Sequence, residues 1–300
     1  MNYKTNSYGK ILITSEYAVL QGALALAIPT KFKQSLSYIK NNSNSLIWKS
    51  YNSENKVWFD CEFLLPNLKL IQNSNNKIGE DLLSILLSAK KLNPYFLNID
   101  FGGVVSTELD FPNNWGLGSS STLINNIANW ANINPFELLW TNFNGSGCDI
   151  ACANSDSPIL YKLENNKPIV DKVSFDPTYS NNLFFIHLNK KQNTNDEIKK
   201  FNTKKLSQKL IFKFSDLTRK FLNSKNIIDF QICIKEHESI LSKELNTVSI
   251  KKKLFDDYKG EIKSLGAWGG DFVLAAGPVD SPSYFQKKGF KTIIPFKKMF

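Results

Sequence analysis

Apolar positions in the first half of the chain fall into short runs. Ile11-Leu12-Ile13 and Ala25-Leu26-Ala27-Ile28 read as buried segments, and Ser35–Ile39, Leu46–Ser50 and Lys56–Asp60 as strands separated by Asn/Ser turns. Ile78, Leu82, Ile85, Leu86 and Ala89 recur at helical spacing, which predicts an amphipathic helix over 78–91 closed by Asn93 and Pro94. Asn98–Phe101 and Val104–Thr107 flank Gly102-Gly103 as an expected strand pair. From Ser119 the period is helical again, with Leu123, Ile124, Ile127, Ala128 and Ala131 on one face.

The second half is richer in helix. Leu206, Leu210, Ile211, Phe214, Leu217 and Phe221 form one stripe, and Phe230, Ile234, His237 and Leu241 another. Strands are predicted at Leu183–Leu188, Phe272–Ala276 and Thr292–Pro295. A polar stretch near 165–182, with Pro168 and Pro177, is the best boundary between domains, dividing the chain into 1–170 and 171–300. Strands mixed with helices without strict alternation point to an α+β fold.

Composition narrows the function classes. With 42% hydrophobic, 13% aromatic and 21% charged residues among 300, the chain is neither disordered nor a low-complexity scaffold. Thirty-seven Lys+Arg against 27 Asp+Glu give a net charge of +10, which favours anionic ligands. Many lysines sit in Asn/Lys-rich stretches such as Asn75-Asn76-Lys77 that read as solvated turns. The Lys199–Lys205 and Lys251–Lys253 clusters lack interleaved aromatics, so nucleic acid is not an expected partner. The first residues carry no apolar targeting segment, and the Ala18–Ile28 run is too short and broken for a membrane span. Four cysteines are too few for a disulfide framework, and Cys148 and Cys152 lie far in sequence from His187 and His237, which disfavours zinc. A cytoplasmic protein is expected.

Four segments carry candidate chemistry. In Pro112-Asn113-Asn114-Trp115-Gly116-Leu117-Gly118-Ser119-Ser120-Ser121-Thr122, glycines at a turn let backbone approach a ligand, and the helix behind offers free amides to phosphate. The serines could cap that helix or place a hydroxyl on Mg²⁺, although the loop is not a Walker A sequence. Gly145-Ser146-Gly147-Cys148-Asp149 places a carboxylate after a tight turn, either as a proton acceptor or as a helix cap. Lys10 leads an apolar strand ahead of Thr14-Ser15-Glu16-Tyr17, and Leu265-Gly266-Ala267-Trp268-Gly269-Gly270-Asp271 reads as a turn between a helix and a strand.

In this order the four segments resemble the GHMP kinase superfamily of galactokinase, homoserine kinase, mevalonate kinase and phosphomevalonate kinase. The resemblance spans residues 8 to 277 and is closest to a bacterial mevalonate kinase-like branch marked by Gly-Ser-Gly-Tyr-Asp-Ile-Ala, here Gly145-Ser146-Gly147-Cys148-Asp149-Ile150-Ala151. It implies a two-domain α+β fold. The N-terminal half would be like ribosomal protein S5 domain 2 and the C-terminal half ferredoxin-like, with ATP and substrate meeting in the cleft between them. It further implies that Gly116, Leu117, Gly118, Ser119, Ser120 and Ser121 cradle the triphosphate of ATP, with Ser120 on Mg²⁺. Asp149 would be the catalytic carboxylate, Lys10 the lysine that pairs with it, and Glu16, Gly266, Gly269 and Gly270 the substrate side.

Several positions depart from the family pattern. Ser15-Glu16-Tyr17 stands where Gly-Glu-His or Gly-Glu-Tyr is usual, and Trp268 where glycine is common. Glu137 lies twelve residues before Asp149 rather than eleven, one out of register with the family's Mg²⁺-binding glutamate. The implied activity is ATP-dependent phosphorylation of mevalonate, or of phosphomevalonate, by a monomer or homodimer. The resemblance also admits a diphosphomevalonate decarboxylase-like enzyme or a catalytically silent ligand-binding member. His237, on a helical stripe, reads as a core-edge residue, and Cys148 and Cys152 as packing residues.

Overall fold

The computed structural model describes residues 2–98, 102–189, 205–266 and 270–300, so residues 99–101 of the strand expected at Asn98–Phe101 lie outside it. The chain folds into two compact units, each assembled from separate stretches. The first comprises Met1–Gly9, Phe32–Asn113 and Gly118–Asn154, the second Lys10–Lys31, Asn114–Leu117 and Ser155–Phe300.

Strand β1 (Tyr3–Leu12) ends in the second unit, and β2 (Ala25–Lys40) runs from the second into the first. This 16-residue strand joins two runs that the sequence separated. The alternation was hidden because Thr30 and Gln34 are polar yet buried, Gln34 accepting a hydrogen bond from Thr122 Oγ1 at 2.5 Å. In the first unit β2 neighbours β6 (Gly103–Leu109), followed by β3 (Ser45–Tyr51), β4 (Val57–Leu64) and β5 (Lys69–Asn73). The β3–β6 pair is parallel and the others antiparallel. Alternate residues point inward, so Leu36, Leu46, Trp48, Phe59, Phe63 and Val105 make one buried face.

Helices α1 (Asn76–Leu92), α2 (Ser119–Ala131) and α3 (Pro135–Asn142) complete that core. The Asn75 side chain caps α1 by accepting the Ile78 N–H at 3.2 Å, and the predicted stripe Leu82, Ile85, Leu86 and Ala89 is buried. Truncating a side chain such as Leu86 to alanine there would cost about 2–5 kcal/mol. A short helix, α4 (Cys148–Ala153), ends the unit. The sequence reading passed over α3, which has only eight residues and a proline in its first turn.

The second unit opens its C-terminal part with the hairpin β7 (Ile159–Glu164) and β8 (Lys167–Lys172). Asn165 and Asn166, at φ 51° and 58°, form its two-residue turn, and β7 also pairs with the first residues of β2. The polar stretch that the sequence marks as a domain boundary includes strand β8, polar because β8 is almost wholly exposed. Beyond it come β9 (Leu183–His187), α5 (Gln208–Asn223), α6 (Ile227–Glu244), α7 (Ile250–Leu254), β10 (Glu261–Ser264), β11 (Phe272–Ala276), α8 (Ser281–Lys287), β12 (Ile293–Pro295) and α9 (Phe296–Met299). The strands form an antiparallel sheet in the order β10-β11-β9-β12. This succession and order give the ferredoxin-like arrangement expected of the C-terminal half. Its core packs Ile186, Ile262, Val273 and Ala275 against Phe255 and Phe285.

One local expectation is corrected. The Gly-rich turn after Leu265 follows strand β10, not a helix. Four residues, Glu261-Ile262-Lys263-Ser264, are too short and too polar to announce a buried strand. No helix among the described residues is long and apolar enough to cross a membrane.

Candidate functional site

The Gly-Leu-Gly turn is built on left-handed glycines, with Gly116 at φ 65° and Gly118 at φ 83°. A Cβ on Gly116 would lie 2.2 Å from Asp271 Oδ2, so only glycine admits the packing. The Lys10 N–H donates to the Leu117 carbonyl at 2.9 Å, fastening the end of β1 to the turn, and Leu117 is buried. Ahead of the turn, buried His187 lies 3.0 Å through Nε2 from the Asn114 carbonyl and 3.1 Å through Nδ1 from Asn189 Oδ1. Trp115 packs edge-on against Phe272, 5.5 Å between ring centroids.

Helix α2 begins at Ser119 with Gly118 as its N-cap and no side-chain cap, which corrects the expectation that the serines cap it. Helices α1, α3, α5, α6 and α7 are each capped by an asparagine or serine side chain: Asn75, Asn134, Ser207, Asn226 and Ser249. The first α2 amide bonded to the chain is that of Thr122, to the Gly118 carbonyl at 3.0 Å. Among the described residues no acceptor meets the amides of Ser119, Ser120 and Ser121, so the helix opens on spare donors with the positive end of its dipole behind them. Ser120 is exposed and Ser121 buried. Such an end suits an anion, phosphate above all.

Lys10 is half-buried and lines, with Trp115, Gly116, Leu117, Gly266 and Asp271, a cavity of about 20 Å³. Asp271 was not singled out from the sequence. Its signal is an acidic residue directly between Gly269-Gly270 and the apolar strand β11. Gly266 has φ 60° and open space where a side chain would stand. Gly270 is buried, while Gly269 and Trp268 lie outside the described residues.

In the first unit, α4 opens at the left-handed Gly147, and the Ser146 hydroxyl accepts the Cys148 N–H at 3.2 Å. Asp149 is the second residue of α4 and half-buried, so glycine and not the aspartate is the cap. Cys148 and Cys152 are buried and in no disulfide among the described residues, consistent with a packing role. Glu137, in the first turn of α3, is exposed and has no ion-pair partner among the described residues.

Glu16 is placed differently from an open substrate contact. It is buried with Lys263, Glu238 and His237 in one cluster of the second unit. The Lys263 ammonium donates to Glu16 Oε1 and lies 3.2 Å from Glu238 Oε1, while Ser264 Oγ donates to Glu238 Oε2 at 2.8 Å. The Ser15 N–H donates to His237 Nε2 at 3.0 Å, and Glu16 Oε2 lies 3.4 Å from the same nitrogen. Ligand atoms of Glu16, Glu238 and His237 come within 4.8 Å of one another, and the cation set among the carboxylates is the lysine itself. Burial pushes the Glu16 carboxyl up to about 7 against the pull of Lys263, with the Glu238 charge pushing it further. Burial, aided by Lys263, holds His237 well below its ordinary value, so the imidazole is neutral.

No family model matches the chain, and no curated protein matches it in sequence. Solved structures do. The chain is similar to the mevalonate kinase of Methanococcus jannaschii at 17% identity and TM-score 0.69, over 98% of this chain and 97% of that one. It is similar to the phosphomevalonate kinase of Streptococcus pneumoniae in complex with phosphomevalonate and AMPPNP, at 15% identity and TM-score 0.70 over 97% and 99%. The galactokinase of Lactococcus lactis complexed with galactose follows at 14% and 0.66, over 96% and 88%. The likeness at these identities is one of fold, and the two-domain α+β fold of those kinases is the fold of this chain.

Proposed function

We propose that this chain is an ATP-dependent phosphotransferase of the GHMP kinase type, acting on mevalonate first and phosphomevalonate second. The observation that carries the reading is the Gly116–Gly118 turn opening into an uncapped α2, within a fold shared with a kinase that holds AMPPNP. Free amides at a helix start bind a triphosphate where a capped helix would not.

In this reading Gly116, Leu117, Gly118, Ser119, Ser120 and Ser121 bind the phosphates of ATP. Asp149 orients or deprotonates the acceptor hydroxyl, and Lys10 balances charge on the moving phosphoryl. Positioning and charge stabilisation supply most of the rate, as in phosphoryl transfer generally. The exposed Ser120 hydroxyl and the exposed Glu137 carboxylate are hard oxygen donors of the kind Mg²⁺ prefers, and they would hold it. Bound there, the ion would neutralise phosphate charge. Gly266, Gly269 and Gly270 belong to the substrate side in this reading, whereas Glu16, buried against Lys263, does not itself contact substrate. A phosphomevalonate acceptor needs no hydroxyl deprotonation, so Asp149 would then only orient it. The enzyme would work in the cytoplasm on small molecules.

An ADP-release assay of the purified protein against mevalonate, phosphomevalonate, galactose and homoserine tests the reading. Release dependent on mevalonate or phosphomevalonate supports it. Release with galactose or homoserine alone moves the substrate, and none with any acceptor removes the activity.

A further inference from the structure

The cavity beside Gly116 has an unusual lining. Among the described residues around it, only Lys10 and Asp271 are charged; the rest are glycines and apolar side chains such as Ile11, Leu12 and Phe272. At about 20 Å³ it holds no more than about one water. Lys10 and Asp271, both half-buried, thus line one water-sized space, where opposite charges attract more strongly than at a fully open surface.

Backbone needs do not explain the aspartate. Asp271 sits at φ 50°, a left-handed conformation that glycine adopts most cheaply, and the same turn uses glycine at Gly266 with φ 60°. Its carbonyl accepts the Leu188 N–H at 2.7 Å, a bond any residue could make. What only the side chain supplies is a carboxylate pressed on the Gly116 backbone, so close that no Cβ fits there. Holding a charge against backbone and apolar groups costs free energy unless an opposite charge compensates it. The cation lining the same cavity is Lys10.

We propose that Asp271 is a positioning residue for Lys10: its carboxylate, seated on Gly116, directs the lysine ammonium toward the Gly116–Gly118 turn. This rests on the kinase reading above. The Lys10 N–H bond to the Leu117 carbonyl fixes the main chain, but the direction of the side chain is a separate matter. A lysine stem has four rotatable bonds, and ordering it in advance removes conformational entropy that would otherwise be lost in the transition state. Asp271 itself touches no reacting atom in this scheme.

Two variants test it. Asp271→Asn keeps the shape and tolerates the left-handed backbone, while Asp271→Gly suits that backbone best; both remove the charge. The first readout needs no substrate. The Lys10 Cε signal in ¹³C NMR, assigned by its loss in Lys10→Met, is titrated in wild type and both variants. Loss of a facing carboxylate should lower the Lys10 titration midpoint by roughly 1 unit. The second is kinetic: kcat should fall at least about 10-fold, with KM for ATP changed far less and the thermal midpoint kept in at least one variant. An unchanged Lys10 titration in both variants overturns the proposal, whatever the activity. A shifted titration with kcat intact shows a pair without catalytic consequence and overturns it also. If Lys10 responds as expected but wild-type protein phosphorylates no acceptor, the kinase reading fails and the pairing stands.

Discussion

Glu16 and Lys263, 247 residues apart, form an ion pair whose side chains are 1% and 0% exposed. One lies just after β1, the other on β10, and Glu238 on α6 shares the same ammonium at 3.2 Å. An ion pair so deep adds little net stability over apolar residues of the same size, but removing one partner strands the other. It therefore specifies which segments meet more than it strengthens their meeting.

Lys263→Met should destabilise the protein by about 3–5 kcal/mol, because two buried carboxylates lose their counter-charge. Urea unfolding followed by circular dichroism measures it. Adding Glu16→Gln to Lys263→Met should restore part of the loss. A double variant no better than the single one would show that the carboxylate is not what suffers.

The cluster also sets a pH dependence with two opposing slopes. Glu16 titrates near 7 when folded and near 4.5 when unfolded. Its contribution is therefore full below about 4.5 and is lost as pH rises to about 7. His237 is held far below 6.5, so stability falls as the unfolded imidazole takes a proton on acidification below 6.5. Between 4.5 and 6.5 the two nearly cancel in the wild type. In Glu16→Gln only the histidine slope remains. Stability should then fall toward pH 4.5 by up to about 1.4 kcal/mol per unit more steeply than in wild type. Parallel profiles for the two proteins would contradict the assignment.

Gly116→Ala meets two obstacles at once, a left-handed φ of 65° and a Cβ 2.2 Å from the Asp271 carboxylate. The backbone alone costs about 1 kcal/mol or more. The turn must also shift, so affinity for ATP should fall more than global stability. Calorimetric titration with AMPPNP, beside a thermal melt, separates the two effects.

Asp149→Asn is nearly isosteric and keeps a hydrogen bond but cannot accept a proton. With an alcohol acceptor, kcat should drop by roughly 10²–10⁴, the usual worth of a positioned base, while nucleotide binding persists. A phosphate acceptor should give a smaller loss, mostly in acceptor KM. Unchanged turnover of the best acceptor would reduce Asp149 to a structural role.

How much of this was legible in the sequence depended on which physical signal each element carries. α1 and α2 announced themselves because Leu82, Ile85, Leu86 and Ile124, Ile127, Ala128 keep a clean helical period. β2 did not, since buried Thr30 and Gln34 satisfy their polarity through neighbours and break the apolar alternation. β10 was invisible for a similar reason: Lys263 looks solvated in sequence and is fully buried, answered by Glu16 from the other end of the chain. Long-range charge pairing leaves no local trace. In the candidate site the glycines and the helix behind them could be read, because backbone demands appear as residue type. Asp271 escaped because its place follows from the packing of Gly116, more than 150 positions away.

Among the described helices, α1, α3, α5, α6 and α7 spend a side chain on their first turn; α2 does not. A glycine cap such as Gly118 gives up only about a few tenths of a kcal/mol relative to serine or asparagine, so the fold forgoes little stability at that point. In the kinase reading, phosphate would stand where that side-chain cap is missing and later leave, so part of the protein's stability would depend on what is in solution. At a ligand concentration 100 times its dissociation constant, that linkage is worth about 2.7 kcal/mol, more than the side-chain cap it replaces. Amide hydrogens of Ser119 to Ser121 would exchange quickly in the free chain and slowly in the occupied one, reporting occupancy residue by residue.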